Sequence, residues 1–234
     1  ARISRDAEKS SEEPAETEKV ENIHKPCLAQ HAAFIIEANG GESKWLKPHV
    51  PRLKAYLSYY RCHMFHEKTG LYFWVDDTAI GVDNDPSTFY RPDKSSASIY
   101  LNCLMYKELL AMAFVCKKLE FPFSEYEKQA EELKKAVQEN LWDERNGFYY
   151  SADLNLKSID PTQWLHSGMP RHWDCLIQRI DCWAGFMAMW AGIATEAQAE
   201  RMVREHLLKA DLCNGAFAVR TLAKTEKMYR LVKS

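Results

Sequence analysis

The 234-residue sequence has no dominant charge: 31 Lys and Arg stand against 33 Asp and Glu, a formal net charge of −2. That balance removes the electrostatic argument for nucleic acid or an anionic membrane surface as a partner. No apolar run approaches the roughly 20 residues a helix needs to cross a bilayer. Residues 1–24 lack the apolar centre of a signal peptide. No CxxC pair occurs among the seven cysteines, Cys27, Cys62, Cys103, Cys116, Cys175, Cys182 and Cys213, which argues against structural zinc. Their odd number and their scatter through apolar helical surroundings predict reduced core thiols. Together with the absence of a visible signal peptide, this leans toward a cytoplasmic location. His63 and His66 have the i, i+3 spacing of a metal pair, but no third ligand stands near them, and they read as a helix end beside a loop. Neither a metal nor a cofactor is expected.

What the chain does have is one unusual stretch. Between Tyr72 and Pro86 fall four carboxylates, one amide and three aromatic residues, in an order that neither a helical nor a strand period explains. Gly81 and Pro86 mark the run as loop, and amphipathic helical patterns flank it. A polar loop held between rigid elements is where binding and catalytic groups tend to sit.

Along the chain, residues 1–24 are rich in Glu, Lys, Ser and Ala, with five acids between Glu12 and Glu21, and read as an exposed or disordered leader. A helix is predicted after Pro26, ending at Asn39-Gly40-Gly41. A second spans about 43–66, with Pro48 and Pro51 confined to its first turns. After the loop, which runs on to Ser96, comes a helix to about Leu119 that is apolar over most of its circumference and therefore expected to be buried. Ser124 with Glu127 predicts a capping box and an outer amphipathic helix to Leu141. Trp142 to Tyr150 reads as a hairpin turning at Asn146-Gly147, and residues 151–180 as irregular. Asp181 to Ala194 is predicted as a second nearly all-apolar helix. Thr195 with Gln198 then caps an amphipathic one to about Lys209.

Inner helix, outer helix and long loop thus recur three times: 27–39 with 43–66, 96–119 with 124–141, and 181–194 with 195–209. An all-α (α/α)6 toroid requires this alternation, with its long loops gathered at one mouth. Residues 25–234 supply about three of its helix pairs. A mouth carrying Trp74, Trp164 and Trp173 with Asp76, Asp77, Asp83, Asp85, His172 and Arg220 suits a carbohydrate, because aromatic faces stack on sugar rings and carboxylates pair with hydroxyls. Aromatic and acidic loops also occur in helical proteins that bind no sugar.

Four segments carry a resemblance. Gly81-Val82-Asp83-Asn84-Asp85-Pro86 resembles the G-x-D-N-S-P signature of glycoside hydrolase family 63, which is related to the trehalases. Ile99 to Glu108 is similar to that family's D-L-N-x-x-x-Y-x-E helix, and Leu141 to Tyr150 to its L-W-D-x-x-x-G-F-Y-Y hairpin. Gly215 to Leu222 is similar to its G-x-x-(S/T)-L segment. The resemblance implies an (α/α)6 domain that hydrolyses an α-linked glucoside or mannoside by an inverting mechanism, with Asp83 as general acid. It further implies sugar contacts at Trp74, Asn84 and Arg220 and a carbohydrate as partner; Asp85 and Trp173 join them as expected substrate-binding residues of the aromatic and acidic mouth.

The departures are specific. Tyr100 stands for the Asp of the D-L-N motif, Asp85 for the Ser after the Asn, and Lys25-Pro26 for a Gln-Pro next to the sugar. The family's base Glu lies well beyond the segment matched by Gly215–Leu222, and neither Asp211 nor Glu226 matches it. The expected partner is therefore the remainder of the same domain. Two other readings stay open: a sugar epimerase on the same toroid using His166 and His172, and a non-catalytic half-toroid that binds sugar or a partner. Asn102 is expected to support the loop rather than touch a ligand.

Overall fold

A computed structural model describes residues 20–78, 80–81, 85–89, 91–156 and 173–229. Helix α1 is Leu28–Ala38, a 3₁₀ turn covers Lys44–His49, α2 is Val50–His63, α3 Ile99–Lys118, α4 Ser124–Leu141, α5 Met187–Ala191 and α6 Glu196–Met202. Short antiparallel strands join them. Strand β1 (Phe65–His66) pairs with β2 (Leu71–Tyr72), and β4 (Trp142–Asp143) with β5 (Phe148–Tyr149). Strands β3 (Ser96–Ala97), β6 (Ser151–Asp153) and β7 (Leu176–Gln178) form a three-stranded sheet in that order.

Helix α3 is the axis. It packs against α1, α4 and α5, and Ile99, Leu101, Cys103, Met105, Val115 and Cys116 are fully buried. By length and composition it could cross a membrane, but within the fold that apolar surface is covered by its three neighbours. Helix α4 turns Ala130, Leu133, Val137 and Leu141 toward it and leaves its charged residues in water. On α1 the buried residues are Ala29, Ala32 and Ile36; the small pair lets the two helix axes approach closely. The mostly helical architecture, with its buried central helix, agrees with the sequence reading.

Two polar side chains of α3 act as brackets. Asn102, fully buried, accepts from the Tyr72 N–H and donates to the Tyr72 carbonyl, both at 2.8 Å, and also donates to Ser98 O. It therefore supports the start of the acidic loop, as expected. Glu108, also fully buried, accepts from the Ala29 N–H at 2.6 Å and the Gln30 N–H at 3.1 Å. These are orphan donors of the first turn of α1, which has no capping side chain of its own. Burial raises the Glu108 pKa, and those two N–H groups with the Gln30 amide pull it back.

Several expected elements differ in detail. The N-cap of α4 is Phe123 rather than Ser124, with no side-chain cap, so the capping box there does not form. The box at Thr195 and Gln198 does. The predicted helix 181–194 is shortened to a 3₁₀ turn, Trp183–Phe186, and α5. Cys182 is instead bridged to Leu222 and the Trp183 N–H is given to Thr221 O, while Gly192 ends α5 at φ 78°. A Cβ on Gly185 would lie 2.4 Å from the Tyr149 carbonyl oxygen, so the hairpin backbone rests directly on this turn. That hairpin pairs Asp143 with Phe148, so four residues, 144–147, make the turn in place of the two expected. Residues 151–180 are not wholly irregular, since they supply β6 and β7.

The C-terminal part is held by a histidine. His206, 5 % exposed, lies in a π-helical turn, Val203–Leu207, and stacks on Phe148 with centroids 4.4 Å apart. Its Nε2 is 2.8 Å from Asn146 O, and its Nδ1 is 3.5 Å from Asp181 Oδ2. Both nitrogens face acceptors, which suits the protonated ring. Burial opposes that charge, but Asp181 and the Asn146 carbonyl prevail and the pKa is raised. Asp181 also accepts from the Tyr150 hydroxyl at 2.6 Å; despite burial, His206 and this hydroxyl keep its pKa low.

Two outcomes follow for stability. Glu108→Ala strands the buried Ala29 N–H and the half-buried Gln30 N–H and is expected to cost about 2–4 kcal/mol in denaturant unfolding. The His206 contribution is fully present below its ordinary value of 6.5 and is lost as pH rises through the raised folded value. The thermal midpoint should therefore fall as pH increases from about 6 to about 9, and the slope should flatten in His206→Gln.

Candidate active site

The acidic loop leaves β2 and returns at β3, and it is clamped at both ends. At the front, Asn22 reaches it from the N-terminal segment. The Asn22 side-chain oxygen accepts from the Val75 N–H at 2.9 Å, and its amide donates to Asp76 O, Asp76 Oδ1 and Thr78 O at 2.7–3.1 Å. Asp76 Oδ1 also accepts from the Thr78 N–H at 2.8 Å, which folds the chain into an Asx turn. Residues 20–24 thus belong to the folded body, where composition had placed them in a leader; residues 1–19 lie outside the described residues. The hydroxyls of Tyr56 and Tyr60 donate to the His24 carbonyl, and Tyr56 also reaches that of Lys25.

At the back, Asp85 is buried, 3 % exposed. Its Oδ1 accepts from the Ser87 N–H at 2.9 Å and the Ser87 hydroxyl at 2.7 Å, and faces the Cys182 thiol at 3.9 Å. The Ser87 carbonyl accepts from the Ser96 hydroxyl at 2.7 Å and the Gln178 amide at 3.2 Å. This network joins the loop to β3, β7 and the turn before α5. Burial raises the Asp85 pKa even though Ser87 and Cys182 favour the anion.

Between the clamps, Asp83 and Asn84 lie outside the described residues, as do Trp164, His166, Arg171 and His172. Of the other residues named from sequence, Trp74 is enclosed at 2 % exposure. Asp85 faces its own loop. Arg220 directs Nη1 at the carbonyls of Ala210, Leu212 and Asn214 and braces the turn in which it sits. Only Trp173, 63 % exposed, offers an open ring. Glu226 accepts the Asp181 N–H at 2.9 Å.

Sequence reasoning missed an aromatic pair. Tyr100, in the first turn of α3, meets Trp183, which opens the 3₁₀ turn before α5, at 5.5 Å between ring centroids. Both are partly exposed. The first turn of α3 and the turn before α5 therefore meet at this pair. The available signal was Tyr100 itself, a bulky ring where the resembling motif has Asp. Asn22 gave no signal, being one amide in a charged segment.

A profile of the "Mannosylglycerate hydrolase MGH1-like glycoside hydrolase domain" matches residues 2–233. The cytosolic neutral trehalase of Kluyveromyces lactis is 26 % identical over 196 residues, covering 78 % of this chain and 24 % of its own length. A probable trehalase of Eremothecium gossypii is 28 % identical over 189 residues, covering 75 % of this chain and 23 % of its own length. Among solved structures, a family 63 mannosylglycerate hydrolase from Thermus thermophilus in complex with glucose superposes with a TM-score of 0.68 at 16 % identity, over 88 % of this chain and 56 % of that one. The chain thus spans about a quarter of these curated relatives and little more than half of that structure.

The back clamp has a checkable consequence. Asp85→Asn keeps the acceptor for Ser87 and removes a buried charge, so stability near neutral pH should be held or raised. Asp85→Ala leaves the Ser87 N–H without its acceptor and should cost about 1–3 kcal/mol, with faster amide exchange over 85–89 as the readout.

Proposed function

The chain belongs to the mannosylglycerate hydrolase MGH1-like glycoside hydrolase family, and from that premise we propose that it supplies the acid half of an inverting glycosidase site for an α-linked glucoside or mannoside. The observation that carries the proposal is the double clamp. Asn22 and Asp85 fix the two ends of one loop, so the segment between them springs from a rigid frame. Asp83 is the general acid of this reading. Its carboxylic proton goes to the glycosidic oxygen as the bond to the anomeric carbon breaks, while a second carboxylate deprotonates water on the opposite face of the sugar. No residue of this chain is assigned as that base. Asn84 and Trp173 contribute contacts to the sugar, and Trp74, Asp85 and Arg220 shape the loops from behind.

The exposed apolar residues bear on the partner. Leu28, Phe34 and Ile35 of α1 and Trp190 of α5 are exposed, more apolar surface than a finished core leaves open. We infer that three helix pairs of an (α/α)6 ring are present here, and that turnover belongs to the ring completed by further helices of the same domain.

In the completed ring, Asp83→Asn should lower turnover of α-mannosylglycerate or trehalose by about 10²–10⁴-fold with an unchanged circular dichroism spectrum. Undiminished turnover in that variant removes Asp83 from the acid role.

A further inference from the structure

The two ring nitrogens of the buried His206 make contacts of different kinds. Nε2 is 2.8 Å from the Asn146 carbonyl, a close hydrogen bond. Nδ1 stands 3.5 Å from Asp181 Oδ2 and makes no close hydrogen bond, so that contact depends on opposite charge rather than on donor geometry. A neutral imidazole has one N–H and one lone pair. With the proton on Nε2, the Nδ1 lone pair faces the Asp181 carboxylate, and attraction becomes repulsion between two acceptors. With the proton on Nδ1, the Asn146 carbonyl loses its donor. Either tautomer breaks one contact, and only the imidazolium keeps both.

Asp181 carries this difference to the acidic loop through the backbone. Its N–H is given to Glu226 Oε1 at 2.9 Å and its carbonyl accepts from the Ala223 N–H at 2.8 Å. The next residue, Cys182, bridges to Leu222 and turns its thiol toward Asp85 Oδ1 at 3.9 Å. That oxygen holds the Ser87 N–H, and the Asp85 carbonyl holds those of Thr88 and Phe89. Other charged groups face the pair. Glu205 is engaged by Arg201 and Arg204, and Asp143, which faces Tyr150, by Arg179. Burial keeps the protons on Cys182 and Tyr150 and lifts Cys213 to about 11. Glu226 is raised above its ordinary value by burial and by Asp181.

We propose that His206 is a positioning residue for the acidic loop: its imidazolium, acting through Asp181 and Cys182, holds the Asp85 clamp shut, and loss of the ring proton loosens residues 85–89. This goes beyond a contribution to overall stability, because one proton here controls one local clamp. Any effect on turnover rests on the acid role proposed above for Asp83; the coupling of ring to loop does not.

Amide hydrogen exchange read by NMR tests it on the unaltered chain between about pH 6 and 9, each rate divided by its intrinsic pH dependence. The reporters are the amides of Ser87, Thr88, Phe89, Asp181 and Trp183. Those of Leu133 and Val137 in α4 report global unfolding and carry the ion pair's share of overall stability whatever its local role. The His206 contribution is present below its ordinary 6.5 and lost as pH rises through its raised folded value. Reporter protection, lower than that of α4, should therefore fall about tenfold with the midpoint at which the His206 ring signal itself titrates. In His206→Gln it should be low and flat across the window. Asp181→Asn, which keeps an acceptor for Tyr150 without the charge, should do the same should the first variant not fold. Glu226→Gln, which keeps an acceptor for the Asp181 N–H, should retain the step. A step confined to the α4 amides, a reporter midpoint away from that of the ring, or a step that survives in a folded His206 or Asp181 variant each overturns the proposal. No turnover enters the measurement, so a chain that cleaves no glycoside would sink the glycosidase reading and leave His206 its role.

Discussion

The fold depends on how one buried charge is satisfied. A helix enclosed by neighbours cannot keep a carboxylate unless donors meet it, and Glu108 meets them at the first turn of α1. The same contact solves two problems, because α1 has no capping side chain and would otherwise bury free N–H groups. It fixes where α1 begins, and so where Lys25 and Pro26 stand. Six residues earlier on α3, Asn102 does for β2 what Glu108 does for α1. The acidic loop is thereby suspended from the same helix that sets the wall opposite it.

The four carboxylates of the loop are not equivalent. Asp76 is occupied by Asn22 and Thr78, and Asp85 by Ser87 and Cys182. Both have partners within the fold, and in sequence they bracket Asp83. Asp77 is exposed. A catalytic acid needs a carboxyl that holds its proton near neutral pH, which takes partial enclosure or a neighbouring negative charge. The clamps set where the connecting segment starts and stops, and the partly exposed Tyr100 and Trp183 supply ring faces of the kind a sugar stacks on.

The mannosylglycerate hydrolase structure shares the fold at 16 % identity, with 56 % of its chain matched here. Leu28, Phe34 and Ile35 of α1 and Trp190 of α5 stay exposed. The His206 and Asp181 pair ties three further elements together. It joins the π-helical turn after α6, the hairpin and the residue before Cys182, so the back clamp on Asp85 inherits its stability from an ion pair on another element.

The sequence by itself determined the features that local chemistry controls. Hydrophobic period identified α3 as a buried helix and α4 as an outer one, Asn39-Gly40-Gly41 ended α1, Thr195 with Gln198 began α6, and four ordered motifs named the family. It also foresaw Asn102 as a support, because an amide on an otherwise apolar helix must be paired within the protein. Only the tertiary structure decided which polar groups are working parts of the frame. Asn22 looked like part of a charged leader and is a clamp; Asp85 and Arg220 proved to have partners within the fold, at Ser87 and at the carbonyls of Ala210, Leu212 and Asn214; the apolar run 181–194 looked like one long helix and is broken by pairing with residues 221 and 222. For Asn22, for Asp85 at Cys182 and for the broken helix, the deciding partner lies dozens of residues away in sequence. Local composition can fix the kind of group present, but a hydrogen bond across the fold decides what that group does.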